Sequence, residues 1–212
     1  MPPGGLVWSL AVTGAAVAAS LAAPSDVIID DIPDFELTSG PAVDLDYDEY
    51  FALQPDSIAH LDPESEQAAG MVGAIETWSD PDSNAIIVVE VVRAIDDASA
   101  TTFVDQAAGN AIAIGLAAAD PPFSGAWSYS GGFEDTWEHV VSWNQGPFAV
   151  VMTQLSLVEV DRDVLDAAAF RQVELVLAAT GFQVSEEAAV VADAPAPPTE
   201  PTEPPPVIPP EV

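Results

Sequence analysis

The sequence predicts an α+β domain at residues 45–184, in which an antiparallel sheet carries two main helices. Two apolar runs, residues 71–78 and 85–94, flank a turn-rich stretch, and two more flank Gln-Gly-Pro at residues 145–147. Runs of this length joined by short turns are typical of antiparallel hairpins. Two Ala-rich segments repeat apolar residues every three or four positions, which indicates helices that bury one face on the sheet.

The first element is predicted in the stretch VDLDYDEY, residues 43–50, where apolar and acidic side chains alternate strictly. This alternation predicts a strand with one wet face, whose charges guard the sheet edge. Asp44, Asp46 and Asp48 also resemble the start of a calcium loop, but the glycine and the glutamate that such a loop requires are missing. We expect an acidic edge strand, with weak calcium binding as the less favoured alternative.

The first hairpin and the first helix follow in order. The stretch SDPDSN, residues 79–84, is a dense turn signal between the first two apolar runs. Asp96 and Asp97 can cap a helix over residues 98–119, and Asp120-Pro121-Pro122 is expected to end it.

The second hairpin is WEHVVSWNQGPFAVVMTQL, residues 137–155, after a short strand near residues 126–130. If Gln145-Gly146 is the turn, the opposed pairs are Trp143 with Phe148, Val141 with Val150, His139 with Met152, and Trp137 with Gln154. Their common face is aromatic and apolar, which suits a core beneath a helix. We therefore interpret His139 as a core or core-edge histidine.

The last helix is expected to begin at Asp161 or Asp163 and to run through VLDAAAFRQVELVLAAT. Gly181 is a natural C-terminal stop for this helix. Phe182 can then pack back on its last turn.

The N-terminal stretch differs in composition from the domain. Residues 5–23, GLVWSLAVTGAAVAASLAA, carry no charge and are nearly long enough to span a bilayer. They predict a signal peptide or membrane anchor within residues 1–25, although no basic residue precedes them. Residues 26–44 are interpreted as an acidic linker.

The C-terminal stretch, residues 185–212, is acidic and proline-rich. Residues 193–212 hold nine of the chain's 20 prolines. Proline lacks an amide donor and favours extended, solvated backbone. This composition predicts a disordered acidic tail.

The charge balance restricts the partners. The chain has 35 acidic residues, 3 basic residues and a formal net charge of −32. Such a field repels nucleic acid and anionic membrane surfaces and attracts cations and basic proteins. The absence of cysteine excludes disulfides and thiolate chemistry. We expect a cationic or protein partner outside the cytoplasm, membrane anchoring through residues 5–23, and no nucleic acid.

Catalytic motifs are missing from the sequence. The two histidines, His60 and His139, lie in no zinc-binding motif, and no nucleophile elbow, phosphate loop or dinucleotide fingerprint is present. We predict no catalytic residue, cofactor or strong metal ligand. Trp127 and Tyr129 could stack against a sugar or peptide, although aromatic residues at alternating strand positions are more often core.

Several stretches together resemble a known family. The stretch TWSDPDSNAIIVVEVV, the Ala-rich helix, WEHVVSWNQGPFAVVMTQLSL and the closing helix resemble small extracytoplasmic bacterial domains with a PsbP-like α/β/α sandwich, over residues 45–183. The resemblance implies a non-enzymatic accessory or binding module. The lipid-anchor cysteine of the lipoprotein members is missing here.

The expected function is an exported or membrane-anchored, non-enzymatic binding domain with an acidic surface. The alternative is a carboxylate-based hydrolase of the cell envelope. A hydrolase requires a cleft that holds two or more acids with raised pKa values. A binding module requires an exposed aromatic or apolar patch.

Overall fold

The fold is known from a computed structural model, which describes residues 22–53, 61, 65, 68–133, 135–159 and 161–185. The strands are β1 (Glu36–Leu37), β2 (Leu45–Asp46), β3 (Val72–Ser79), β4 (Ile86–Arg93), β5 (Ala117–Ala118), β6 (Trp127–Phe133), β7 (Thr136–Gln145) and β8 (Phe148–Ser156). The helices are α1 (Tyr47–Leu53), α2 (Asp97–Ala113) and α3 (Arg162–Thr180), and a 3₁₀ turn spans Pro24–Asp26.

One antiparallel sheet organises these elements. Its order is β1-β3-β4-β8-β7-β6-β5, and β2 also pairs with β3. Every strand pair is antiparallel. This confirms the predicted α+β class.

The sheet is covered on both faces. One hydrophobic core lies between the sheet and the α1 and α2 helices. A second core lies between the opposite face and α3, together with N-terminal residues. Because both faces are buried, the central strand β4 is a nearly continuous run of Val and Ile.

The second hairpin lies in a different register from the predicted one. Its two-residue turn is Gly146-Pro147, so Gln145 opposes Phe148 and Trp143 opposes Val150. Gly146 has φ +60°, which proline could not adopt, so the pair fits a type II′ turn with glycine first. The shift is two residues, and the predicted face therefore remains intact beneath α3.

The helix boundaries were predicted in part. Asp96 caps α2 by accepting a 2.8 Å hydrogen bond from the Ser99 amide, and Asp161 caps α3. Gly181 ends α3 with φ +77°, as expected. The predicted end of α2 was wrong, because the helix stops at Ala113 and Gly115 turns the chain, with φ +95°, toward the short strand β5.

The prediction of a strand over residues 43–50 was also wrong, except at the centre of that stretch. Only Leu45–Asp46 is a strand, and the chain then enters α1 at Tyr47. The Asp46 carboxylate accepts a 3.0 Å hydrogen bond from the Glu49 amide, as at a helix start. Tyr47 and Tyr50 are both buried, and their spacing of three residues places them on one face of the helix. The sequence prediction missed this helical spacing because it followed the alternation of acidic and apolar residues.

Residues 26–44 are not a linker. Val27, Ile29 and Ile32 are buried in the α3-side core. Gln172 of α3 holds this segment, because its side chain accepts a 2.8 Å hydrogen bond from the Ile29 amide and donates one of 2.5 Å to the Val27 carbonyl. The sequence prediction missed this short apolar run because many acidic residues surround it. We call residues 27–34 the strap.

Several predictions fall on residues that the structure does not describe. They include most of the predicted signal or anchor, residues 1–21, almost all of the predicted tail, residues 186–212, and His60. Within the described ranges, no helix is long and apolar enough to span a membrane.

Candidate functional site

Trp127 and Tyr129 do not form a binding face. Both side chains are 4% exposed and lie in the core beside α2. Their rings stack on each other with centroids 6.5 Å apart. The strand alternation that made them candidates places them in the core.

The three calcium candidates are not gathered into a metal site. The Asp44 carboxylate accepts a 2.9 Å hydrogen bond from the Ser25 amide, and the Asp46 carboxylate caps α1. Asp48 lies in the first turn of α1. No group of three or more potential metal-binding side chains occurs in the part of the chain that the structure describes.

His139 is the centre of a buried polar cluster. It is fully buried on β7, directly opposite Gln154 of β8. Its Nε2 lies 3.2 Å from the Ser128 hydroxyl and 3.6 Å from Oδ1 of Asp166 on α3. Arg162, also on α3, donates a 2.7 Å hydrogen bond to the Asp120 carbonyl.

The contacts of His139 do not match those of a catalytic triad. In a triad the nucleophile and the acid contact different imidazole nitrogens. Here Ser128 and Asp166 are both near Nε2, and Nδ1 has no hydrogen-bond partner among the described residues. The serine is itself only 4% exposed. The geometry therefore does not support nucleophilic catalysis by Ser128.

The same surroundings keep His139 neutral. Burial, helped by the positive charge of Arg162, lowers the pKa of His139 to about 4. Burial also raises the pKa of Asp166, although Arg162 acts against that shift. His139 is thus an uncharged core residue at neutral pH.

Other acids with raised pKa values are dispersed. Burial raises the pKa of Glu76 most, and it is the sole cause for Asp105 and Glu138. A hydrolytic pair would raise one member's pKa through the charge of the other. The smaller like-charge contributions here come from the exposed Asp30 at Glu76 and from the exposed Asp163 at Asp166, and not from another member of this set. Glu138 faces the α2 side of the sheet with Val140, whereas Glu76 faces the α3 side with Trp78.

A concave groove lies between the strap and α3, and we call it the strap groove. Its volume is about 470 Å³, within the range of small-molecule sites. The lining residues are Ile29, Asp31, Pro33, Asp34, Asp163, Val164, Ala167, Ala168 and Arg171. Ile29 and Ala168 are buried and make an apolar floor.

The charged groups of the strap groove are unequally paired. Arg171 contacts the Asp30 carboxylate at 3.2 Å and the Asp31 carboxylate at 3.1 Å. Its guanidinium also donates a 3.0 Å hydrogen bond to the Asp31 carbonyl, which ties the strap to α3. The exposed carboxylates of Asp34 and Asp163 form no ion pair within the described ranges. The groove therefore combines an apolar floor with net negative charge.

Sequence reasoning did not identify the strap groove. The two walls are more than 100 residues apart, and the polar residue that joins them, Gln172, resembles an ordinary helix residue in sequence. The available signal was the apolar run Val27-Ile28-Ile29 among acids. A buried β-like run of this kind indicates packing against the domain.

Comparisons with known proteins do not assign this chain to a family. No protein-family model and no curated protein matches this chain. Among solved structures, it is similar to the crystal structure of the extracellular domain of PknH from Mycobacterium tuberculosis, with a TM-score of 0.42 and 16% sequence identity, over 67% of this chain and 80% of that chain. A TM-score this low does not establish a shared fold. The resemblance to PsbP-like domains stays a prediction.

Proposed function

We propose that this chain is an extracytoplasmic, non-enzymatic binding domain, and that the strap groove takes a small organic cation with an apolar body. The observation that carries the proposal is the apolar floor beneath two carboxylates, Asp34 and Asp163, that form no ion pair with any residue the structure describes. Export rests on the composition of residues 5–23.

The charge of the groove selects the class of ligand. Arg171 is already engaged by Asp30 and Asp31, so it is poorly placed to receive an anion. A neutral apolar molecule would bury the floor but would leave the carboxylates partly desolvated, which costs free energy. An ammonium group on an aryl or alkyl body satisfies both parts of the groove.

The dispersal of the acids with raised pKa values supports a non-enzymatic role. The carboxyls with raised pKa values, Glu76, Asp105, Glu138 and Asp166, do not line the strap groove. A carboxylate-based hydrolase would need such groups at its cleft.

Calorimetric titration tests the proposal on the full chain. Phenethylammonium serves as the cationic probe and 2-phenylethanol as its neutral counterpart. We expect the cation to bind more tightly than the alcohol. Asp34→Asn and Asp163→Asn should each weaken binding of the cation about 1.4- to fivefold, since an exposed charge pair contributes roughly 0.2–1 kcal/mol.

Asp82→Asn is the matched control, because Asp82 is exposed in the β3–β4 turn and does not line the groove. It should leave the affinity of the cation unchanged. Equal affinity for the alcohol and the cation would contradict the proposal. An equal loss in Asp82→Asn would also contradict it, because the binding would then reflect only the overall acidity.

A further inference from the structure

The strap ends in a turn that holds Asp34 in an unusual backbone conformation. The Phe35 amide donates a 3.1 Å hydrogen bond to the Ile32 carbonyl, which closes a β-turn over Ile32-Pro33-Asp34-Phe35. Asp34 has φ +68°. Proline at the second position and a positive φ at the third define a type II turn, whose third position is normally glycine or asparagine. Asp34 therefore carries its side chain at a position where the backbone favours glycine.

This turn is anchored at both ends. Ile32 is 1% exposed, and Phe35 packs against the α3-side core. Pro33 fixes its own φ, and Gln172 holds the strap residues that precede the turn. The turn therefore keeps Asp34 at a fixed place on the rim of the strap groove, which Pro33 and Asp34 both line.

The Asp34 carboxylate has no structural role within its own turn. An aspartate in a turn commonly accepts a hydrogen bond from a nearby backbone amide. The Asp34 carboxylate is exposed and forms no hydrogen bond or ion pair with any residue that the structure describes. Two other strap acids, Asp30 and Asp31, are already paired with Arg171. Local bonding therefore does not explain why this position carries aspartate rather than glycine.

The other unpaired acid of the groove, Asp163, lies in a different electrostatic environment. It belongs to the first turn of α3, where the amide groups and the helix dipole create a partial positive charge. Arg162 directly precedes it in the sequence. These positive charges offset part of the field that Asp163 presents to a cation. Asp34 lies in a turn and has no helix terminus of its own.

We propose that Asp34 is the specificity-determining residue of the strap groove. Its carboxylate receives the ammonium group at the rim, while the apolar body of the ligand lies on the floor formed by Ile29 and Ala168. This inference rests on the proposed function and assigns to one residue the discrimination between a cation and a neutral ligand. Strained backbone persists only where the surrounding structure holds it, and it concentrates at ligand sites. Replacing Asp34 should therefore raise stability while it lowers selectivity.

Calorimetric titration of the full chain with phenethylammonium and 2-phenylethanol measures the selectivity. The selectivity ratio is the dissociation constant of the alcohol divided by that of the cation. Asp34→Asn removes the charge but keeps a side chain of the same size that tolerates positive φ. It should lower the ratio about fivefold, the upper end of what an exposed charge pair contributes. Asp163→Asn should lower the ratio by less than about twofold, because the helix terminus already offsets that charge.

Asp34→Gly tests the backbone conformation. Its melting temperature should be a few degrees above that of Asp34→Asn, which removes the same charge, because a side chain at positive φ costs more than the entropy that glycine adds to the unfolded chain. Asn84→Gly is the matched control. Asn84 is the other non-glycine residue with positive φ in the part of the chain that the structure describes, with φ +57°, and it does not line the groove. Asn84→Gly should also raise the melting temperature, and it should leave the selectivity ratio unchanged.

The outcomes separate this inference from the proposed function. If the parent chain does not prefer phenethylammonium to 2-phenylethanol, the proposed function fails and this inference fails with it. If the parent prefers the cation but Asp34→Asn and Asp163→Asn lower the ratio equally, the proposed function stands and the assignment to Asp34 is overturned. A melting temperature of Asp34→Gly at or below that of Asp34→Asn would refute the strained turn.

Discussion

The Tyr50 hydroxyl donates a 2.6 Å hydrogen bond to the Glu90 carboxylate, and both side chains are buried. Tyr50 belongs to α1, and Glu90 lies on β4 opposite Ile75. Burial, followed by the charge of Glu90, raises the pKa of Tyr50 well above its ordinary value. The hydroxyl therefore stays protonated and can donate. This contact fixes α1 to the sheet.

Tyr50→Phe should lower the free energy of unfolding by about 1–3 kcal/mol, because a buried carboxylate loses a donor. Chemical denaturation at neutral pH measures the change. Tyr129→Phe is the control, since the Tyr129 hydroxyl has no hydrogen-bond partner in the described ranges, and it should change stability much less. Equal losses in the two variants would contradict the importance of the Tyr50–Glu90 contact.

Gly73→Ala should destabilise the fold by about 1–3 kcal/mol, the usual cost of overpacking. An added Cβ at Gly73 would collide with the ring of Tyr50, which is fully buried. Gly109→Ala, inside α2, meets nothing within 4 Å and should stabilise the protein by about 0.5–1 kcal/mol through helix propensity. Thermal unfolding of both variants checks the opposite signs. A neutral Gly73→Ala would show that α1 is not seated on β3 as described.

Trp143→Ala should cost about 3–5 kcal/mol, as large-to-small core substitutions do. Trp143 is fully buried on β7, and its ring meets that of Phe123 edge-on with centroids 5.3 Å apart. Trp137→Ala, at a strand position that is 37% exposed, should cost far less. Denaturant unfolding of the two variants measures the difference. Unchanged stability of Trp143→Ala would refute the core assignment of this face.

His139 predicts a pH-dependent contribution to stability. Its pKa is about 4 in the folded protein and near 6.5 when unfolded. Between these values the unfolded chain binds a proton that the folded chain does not, so this contribution falls as pH drops from about 6.5 to about 4. At most about 3 kcal/mol is lost, since each pKa unit corresponds to about 1.4 kcal/mol.

The comparison of His139→Gln with the parent chain isolates this effect from the many carboxylates. The stability deficit of the variant should be largest at pH 7 and should shrink toward pH 4.5. Ser128→Ala removes the hydrogen bond to Nε2 without removing a titrating group, so its deficit should vary less with pH. A His139→Gln deficit that is constant with pH would show that the histidine is not held neutral by burial.

Much of the fold could be predicted because its signals are local. The Val/Ile run of β4, the Asp96 cap and the Gly181 stop each depend on neighbouring residues only. The hairpin register failed because Gln145-Gly146 and Gly146-Pro147 are both plausible two-residue turns, and only the second places glycine first, as a type II′ turn requires. Two-residue shifts preserve the faces, so the core was still identified.

The strap groove could not be predicted, because contacts between residues far apart in the sequence create it. Gln172 hydrogen-bonds the strap across more than 140 residues of sequence. Strand alternation could place Trp127 and Tyr129 on a face, but it could not show that α2 covers that face.

An NMR titration of the ¹⁵N-labelled full chain with phenethylammonium tests whether the strap groove binds cations. We expect amide shifts to concentrate on the strap and the first turns of α3, around Ile29, Asp34 and Ala167, and to saturate together. The same residues should respond weakly to 2-phenylethanol. Small shifts spread over exposed acids throughout the domain, without saturation, would contradict a cation-binding strap groove.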